Sequence, residues 1–507
     1  MCQGDAAMSE MSSLKKRLLL QWFVTNTVLT GIFALLWLLF RSGPKPNRLA
    51  YPCQQAAFTT ASLAFGAPLV AALITIRHVA LGLLGSRRAL ATAGVGLFVT
   101  FGLWGFLSKS NATTRHAPMV PPPDYRAEIF HVTDCPQDPV GEHFVGLDNL
   151  LRLMGREGLK FYKSPTVTPL SGPDGIIDTN DVVVVKINYQ WSGCGGTNTD
   201  LLRGLIRAVV DHPDGFTGEI VVGENTQSAS SDSFDRGGSN AQDRSLSPMR
   251  VVVGFQDQGH RVEISDWRRF RSFQVTPDLS CDVGGGGYVV MPSGSAGKVS
   301  YPRFKTSNGT CISLRNGVWD SGTGSFDRSR LKIINLPVLK PHGYVYGVTA
   351  AVKNYMGVVT NELNTGSHSA VRGGLMGAVM AETGPPDLNI LDCIRVDGYP
   401  QSGPEVSWTY ASRLDQLVAS TDPVALDIWA TKNILIPEFL ANGFEPPWPN
   451  PSADPDDPNG TFRNYLDNSM DQLLAYGYSV TNDLDSIDVH WWDGVEAPRR
   501  STGRVGN

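Results

Sequence analysis

The sequence predicts an α/β protein in which a mostly parallel sheet is flanked by helices, preceded by three transmembrane helices. Short β-branched runs follow one another along the chain, and segments with apolar residues at helical spacing lie between them. That alternation is typical of strand–helix–strand units with a parallel sheet. The third observation is a concentration of apolar residues in the first fifth of the 507 residues.

The predicted membrane anchor occupies residues 1–110, with helices at about 18–40, 56–76 and 89–107. Each stretch is uncharged and close to the roughly 20 residues that cross a bilayer as a helix. A cleaved signal peptide is the alternative for the first stretch, but its apolar core would be about 7–15 residues. Basic residues are nearly balanced on the two sides, with a weak preference for a non-cytoplasmic α/β domain. We therefore expect a multi-pass protein with the lipid bilayer as a partner.

The rest of the chain divides by composition. Residues 111–130 form a Pro-rich linker, and Pro-rich segments are stiff and extended. The α/β domain is expected at 131–445, with loop insertions rich in Ser, Asp and Gly near 225–250 and 281–330. Residues 446–507 are expected to form a C-terminal appendage.

The elements of the α/β domain follow from local patterns. Short runs rich in β-branched residues predict strands at 181–187, 219–223, 261–264, 331–338 and 387–396. Apolar periodicity predicts helices at 199–210, 345–359 and 373–382. Thr197 or Thr199 is the expected cap of the first helix. A further helix begins at Asp422 as its cap, with Pro423 in the first turn.

Charge and cysteine spacing exclude several classes of protein. The net charge of −5 argues against a nucleic-acid binder, which normally carries a basic patch. The seven cysteines form no C-x-x-C pair, so neither an iron–sulfur cluster nor a structural zinc is expected. Cys281 and Cys311 bracket a Gly-rich insert. Either they are bridged or they are isolated buried thiols.

Cationic side chains follow two of the predicted strands. Lys186 ends the first strand, Lys340 and His342 follow the strand at 331–338, and Lys353 lies further on among apolar neighbours. Ligands of open α/β sheets bind beyond the carboxyl ends of the strands. A buried ammonium is costly unless it meets an anion, so the set predicts an anion site. Solvated or snorkelling lysines are the alternative.

The turn after the strand at 181–187 is rich in glycine and contains Asn188. Thr199 opens the helix that follows it. Backbone N–H groups at such a turn can approach an anion. The spacing matches neither phosphate-loop nor dinucleotide-binding motifs, so a plain connection is the alternative.

Four carboxylates complete the candidates, and Glu224 is among them as a candidate ligand of a hard divalent cation. Asp392 and Asp422 are candidate ligands of a divalent metal, and Asp427 is a candidate base. The alternative role of Asp422 is that of a helix cap only. Because Asp422 and Asp427 are five residues apart, they do not share one helix face.

Three segments of this chain resemble the DUF362 domain, over roughly residues 180–435. They are VVVVKINYQWSGCGGTNTDLLRGLIRAVV, LPVLKPHGYVYGVTAAVKNYMGVV and ASTDPVALDIWATKN. The resemblance implies an α/β domain without an assigned activity. Many members of that family carry ferredoxin-like cysteine clusters, which this sequence lacks, so an iron–sulfur label does not transfer. Membrane-attached or exported members fit the three apolar stretches.

We expect a membrane-tethered domain that binds a phosphate- or carboxylate-bearing small molecule, with a divalent metal as an open question. The expected ligand-binding residues are Lys186, Asn188, Thr199, Lys340 and Asn354. The expected catalytic residues are His342, Lys353 and Asp427, with His342 as proton carrier because its ordinary pKa lies near neutrality. An enzyme is favoured over a non-catalytic binding or assembly module. A redox protein, the third hypothesis, would need a bound cofactor.

Overall fold

The computed structural model describes residues 36, 122, 124–135, 142–227, 233–276, 281, 286–293, 296–403, 405–448, 451–492 and 499–502. Apart from residue 36, the predicted membrane helices at 18–40, 56–76 and 89–107 lie outside these residues, so they stay predictions. Within the described part, no helix combines the length and the apolar character needed to cross a bilayer.

The described chain from residue 122 onward forms a mixed α/β fold. Its strands are β1 (Ala127–Val132), β2 (Tyr162–Lys163), β3 (Ser171–Gly172), β4 (Val182–Ile187), β5 (Glu219–Glu224), β6 (Val262–Asp266), β7 (Gly287–Ser293), β8 (Gly297–Lys305), β9 (Cys311–Ser313), β10 (Gly317–Asp320), β11 (Ser325–Asp327), β12 (Leu331–Leu336), β13 (Lys340–His342), β14 (Gly347–Thr349), β15 (Leu388–Asp397), β16 (Ala411–Ser420), β17 (Ile487–Trp492) and β18 (Arg499–Thr502). Its α-helices are α1 (Val145–Arg156), α2 (Thr199–Val210), α3 (Pro248–Asp257), α4 (Gly343–Tyr346), α5 (Ala351–Asn354), α6 (Ser367–Ala370), α7 (Leu375–Thr383), α8 (Pro423–Ala430), α9 (Ile436–Ala441) and α10 (Thr461–Ala475).

The central sheet has nine strands in the order β18-β17-β1-β16-β15-β12-β4-β5-β6. The strands from β15 to β6 are parallel to one another. β16 runs antiparallel to both of its neighbours, β15 and β1, while β17 is parallel to β1. The mostly parallel sheet expected from the sequence is confirmed.

Both faces of the sheet are covered. On β4, Val183 and Val185 pack with helices α1 to α3, whereas Val182 and Val184 belong to the core on the opposite face. That second core includes residues of α7, α8 and α10. Burial on both faces explains why β4 is a continuous apolar run rather than an alternating one.

The predicted N-terminal cap is confirmed for α8 and is wrong for α2. Asp422 caps α8 by accepting hydrogen bonds from the backbone N–H groups of Val424 and Ala425, as predicted. The cap of α2 is Asn198, whose side chain accepts from the backbone of Leu201. The expectation of Thr197 or Thr199 at that cap is wrong.

The predicted helix at 345–359 is also wrong. The chain forms the short helix α4, then β14 pairs with β13 in an antiparallel hairpin, and α5 and a 3-10 turn follow. Gly347 has a φ of 75°, in the left-handed region, and ends α4 after four residues. The hairpin therefore returns the chain beside the strand that carries Lys340.

The insertion expected as loop near 281–330 contains a second sheet, ordered β11-β10-β9-β8-β7. Cys281 and Cys311 are bridged by a disulfide, with Cα atoms 5.7 Å apart. The insertion near 225–250 contains a 3-10 turn at Ser233–Asp235 and the start of α3. Residues 446–507, expected as an appendage, contribute β17 to the central sheet and α10 to its covering layer.

Candidate functional site

A narrow pocket opens at the carboxyl ends of β4 and β5, beside the β13–β14 hairpin. It is lined by Asn188, Gln190, Trp191, Glu224, Gln227, Lys340, His342, Thr349, Lys353, Asn354, Met356 and Gly357. Its volume of about 30 Å³ is room for only one or two water molecules. Such a pocket admits a small group, such as a carboxylate or the edge of a phosphate, rather than a whole ligand.

Lys186 and Glu224 form a buried ion pair at this pocket. The Lys186 ammonium also donates to the backbone carbonyl of Ile187, at 2.6 Å, and to Asn354 Oδ1, at 3.4 Å. Burial lowers the pKa of Lys186, and the Glu224 carboxylate opposes that change. With three acceptors around it, the Lys186 ammonium is fully occupied.

Lys340, on β13, reaches across to the turn after β4. Its ammonium donates to Asn188 Oδ1 at 3.2 Å and to the backbone carbonyl of Gly195 at 2.8 Å. A lysine ammonium has three N–H donors, so one remains for a ligand. Burial lowers the pKa of Lys340 to about 8, although the charge of Glu224 acts in the opposite direction.

Lys353, on α5, differs from the other two lysines. It is only 4% exposed, and its ammonium lies 4.6 Å from the centre of the Tyr346 ring. Within the described ranges it makes no hydrogen bond and no ion pair. Burial, and next the neighbouring Lys340, lower the pKa of Lys353 to about 7. Charged and neutral forms of this amine are therefore both present at neutral pH.

His342 lies at the end of β13, with Nδ1 2.6 Å from Thr349 Oγ1 on the paired strand. Burial lowers its pKa well below the ordinary value, and the charges of Lys353 and Lys340 add to the effect. The imidazole is therefore neutral at pH 7, so it is available as a proton acceptor and is not a stored proton. The proposed role of His342 as proton carrier rests on this neutral ring rather than on an ordinary histidine pKa.

Buried amides fix the floor of the site. Asn354 donates to Asn335 Oδ1 at 2.8 Å, and Asn335 donates to Asn389 Oδ1 at 2.9 Å. Asn389 donates in turn to the backbone carbonyl of Ser420. These bonds form a chain that connects α5 with β12, β15 and β16, and Asn354 is held directly by Asn335 on β12.

The backbone of Gly357 and the indole ring of Trp191 also lie at the pocket. A side chain at Gly357 would clash with the Glu224 carboxylate and the Lys186 ammonium, so any other residue would have to displace this buried ion pair. The indole N–H of Trp191 is buried without a hydrogen-bond partner in the part that the structure describes. A buried donor of this kind is normally satisfied, so it is available to a bound acceptor.

Five candidates from the sequence do not line the pocket: Lys186, which lies beside it, and Thr199, Asp392, Asp422 and Asp427. Thr199 Oγ1 lies 3.1 Å from Ser239 Oγ and donates to the backbone of Leu246. Asp427 accepts hydrogen bonds from the backbone N–H groups of Ala351 and Val352, at 2.7 and 3.0 Å. Burial raises the pKa of Asp427 to about 8, against the effect of these two bonds. Asp427 thus holds the start of α5, which carries Lys353.

Asp392 and Asp422, the metal candidates, are occupied by protein donors. Asp392 accepts from the backbone of Asn198 and Ile394 and from the side chain of Asn240. Asp422 caps α8 and also accepts from the backbone of Thr481. No group of three His, Cys, Asp or Glu side chains suited to a metal occurs among the described residues.

The site contains residues that sequence patterns did not single out for it, among them Trp191, Gln227 and Thr349. Glu224, which the sequence places only among the candidate metal ligands, lies at the pocket as the partner of Lys186. The signal for it was available, since a carboxylate ends the strand next to the one that ends with Lys186.

Comparison with known proteins gives one finding. Residues 331–432 match the model of DUF362, a domain of unknown function. That range contains Lys340, His342, Lys353, Asn354 and Asp427. No curated protein and no solved structure matches the chain.

Proposed function

We propose that this DUF362 domain-containing protein binds a small carboxylate- or phosphate-bearing molecule in the pocket of Lys340 and Lys353, and that it acts on this molecule as an enzyme. One observation carries the proposal: Lys353 is a buried amine without an acceptor in the described part of the chain. Protein interiors rarely bury a cationic group unless an anion satisfies it.

The charges of the pocket support an anionic ligand. Two lysine side chains, Lys340 and Lys353, line the pocket, and the carboxylate of Glu224, which also lines it, is paired with Lys186 behind it. Lys340 has one N–H left, and the Trp191 indole offers another donor. The pocket therefore presents donors from several directions to an oxygen-rich group.

The acid–base properties favour an enzyme over a passive binding module. Lys353 has a pKa of about 7, and the His342 imidazole is neutral beside it. General acid–base catalysis is most effective when the pKa of the group lies near the working pH. A module that only holds an anion would gain from a lysine that stays charged.

Titration calorimetry with inorganic phosphate and with acetate tests the binding. We expect Lys353→Met to weaken the binding about tenfold or more, which is about 1.4 kcal/mol. Because an anion favours the charged amine, binding takes up a proton, so affinity falls as the pH rises above about 7.

Lys432→Met is the matched control, since Lys432 is exposed and paired with Asp456. That variant should bind like the wild type. Equal affinities for wild type and Lys353→Met would contradict the proposal.

We also propose that the α/β part lies on the non-cytoplasmic side of a membrane. The disulfide between Cys281 and Cys311 supports this placement, because disulfides persist in oxidising compartments. The redox state of this cysteine pair in cells is the measurement that decides it.

A further inference from the structure

We infer that Lys353 is the covalent nucleophile of the site and forms an iminium bond with the carbonyl carbon of a 2-oxo acid, whose carboxylate is held by Lys340. This inference deepens the proposed function and rests on it, since it requires the pocket to take an anion. It assigns a substrate class and separates the tasks of the two lysines.

The hydrogen bonds of the lysines separate those tasks. Lys186 is held by Glu224, the backbone of Ile187 and Asn354. Lys340 is held by Asn188 and Gly195 and keeps one donor. Both ammonium groups are positioned as fixed cations.

Lys353 is placed as the reactive amine. Its nitrogen lies 4.6 Å from the centre of the Tyr346 ring, a contact that does not occupy the nitrogen lone pair of the neutral amine. Burial and the adjacent Lys340 lower its pKa to about 7, so a neutral amine exists at physiological pH. Desolvation beside another cation is an established way to activate a lysine toward carbonyl groups.

The size of the pocket favours a planar, compact group. A volume of about 30 Å³ takes a small group such as a carboxylate rather than a whole ligand. A second cavity of about 210 Å³ shares the lining residue Gln227 with the pocket.

The step balances without an oxidant or a reductant. The lone pair of Lys353 Nζ forms the C–N bond while the carbonyl π pair moves to oxygen. That oxygen leaves as water, which takes one proton from the amine and a second proton from a donor other than the lysine and the oxo acid. A C=N⁺ bond between the lysine and the former carbonyl carbon remains. His342 Nε2, which has no hydrogen-bond partner in the described residues, lines the pocket and can relay that proton.

Borohydride trapping tests the inference on the full chain, with pyruvate as the 2-oxo acid and lactate as its 2-hydroxy analogue. We expect pyruvate with borohydride to leave one reduced adduct, mapped to Lys353 by peptide mass spectrometry. Lactate should leave none. Lys353→Arg, which keeps a cation but cannot form the iminium, should abolish the adduct, and Lys432→Arg should not change it.

The two proposals fail in different ways. If pyruvate and lactate both bind with a dependence on Lys340 but no adduct forms at Lys353, the covalent role is wrong and the anion site stands. Adducts spread evenly over exposed lysines would also overturn the covalent role. If neither acid, phosphate nor acetate binds, both proposals fail.

Discussion

Lys353 shows at the scale of single residues how a functional group can work against stability. Its side chain is buried, and after burial the charge of Lys340 has the largest effect in lowering its pKa. No acceptor in the described chain offsets that burial. A residue selected only for stability at this position would be apolar.

We therefore expect Lys353→Met to raise the free energy of unfolding by about 1–3 kcal/mol at pH 7 and below, as when buried ionic groups are replaced by apolar ones. The pKa falls from 10.5 to about 7 on folding, so the unfolded chain binds the proton more strongly between these values. Wild-type stability thus rises with pH in that window, and the advantage of Lys353→Met shrinks.

Urea unfolding of both proteins at pH 6 and at pH 9, on either side of the pKa of about 7, measures the effect. Lys432→Met again serves as the comparison, because an exposed ion pair contributes about 0–1 kcal/mol. A loss of stability in Lys353→Met at pH 6 would show that the lysine is a structural residue.

At the scale of elements, the short helix α5 depends on the carboxyl group of Asp427, which lies on α8. Asp427 accepts both backbone N–H groups at the start of α5. A four-residue helix cannot sustain itself, because helix formation needs a costly nucleus. The position of Lys353 is therefore set by a residue that does not line the pocket.

Asp427→Ala leaves two buried N–H groups without a partner, at about 1–3 kcal/mol each. We expect the free energy of unfolding to fall by about 2–4 kcal/mol and anion affinity to fall with it. Asp427→Asn keeps one acceptor and should lose about half as much. Thermal unfolding and calorimetry with phosphate measure the two effects.

Asp456→Ala is the control for Asp427→Ala, since Asp456 is exposed and pairs only with Lys432 among the ion pairs of the described chain. Unchanged anion affinity in a folded Asp427→Ala protein would mean that α5 keeps its place without this carboxylate.

Local patterns predicted most of the elements around the site, and the reasons for success and failure differ. β4 and α2 are long, regular and strongly apolar, so the observed bounds nearly equal the expected ones. The second sheet, by contrast, is made of strands as short as Cys311–Ser313 in a Gly- and Ser-rich stretch. Such strands are stabilised by pairing with neighbouring strands, and they are too short to show an alternation of apolar and polar residues in the sequence.

The convergence of the lysines followed from one rule, that carboxyl ends of parallel strands share an edge of the sheet. The rule placed Lys186 and Lys340 together. The rule could not predict the ion pair between Lys186 and Glu224 or the hydrogen bonds from α5 to Asp427. Both interactions join segments that are far apart in the sequence.

At the scale of the whole molecule, the disulfide bears on where the α/β part resides. Cys281 and Cys311 are bridged, whereas Cys135, Cys194 and Cys393 are free and buried. A chain in a reducing compartment would keep all five as thiols.

Alkylation of cells quenched in denaturant distinguishes these compartments. We expect Cys135, Cys194 and Cys393 to be labelled at once, and Cys281 and Cys311 to be labelled only after reduction. Immediate labelling of all five would contradict the non-cytoplasmic placement.

The position of β1 determines when the molecule can finish folding. β1 lies between β16 and β17, and Ala127 at its start pairs with Ile487 near the end of the chain. During translation β1 is synthesised early, but β17, one of its two neighbours, is synthesised near the end. Until β17 is made, one edge of β1 exposes unpaired backbone groups. The nascent polypeptide can therefore associate wrongly through this edge during most of its synthesis. A product that terminates before residue 487 would keep the edge of β1 unpaired.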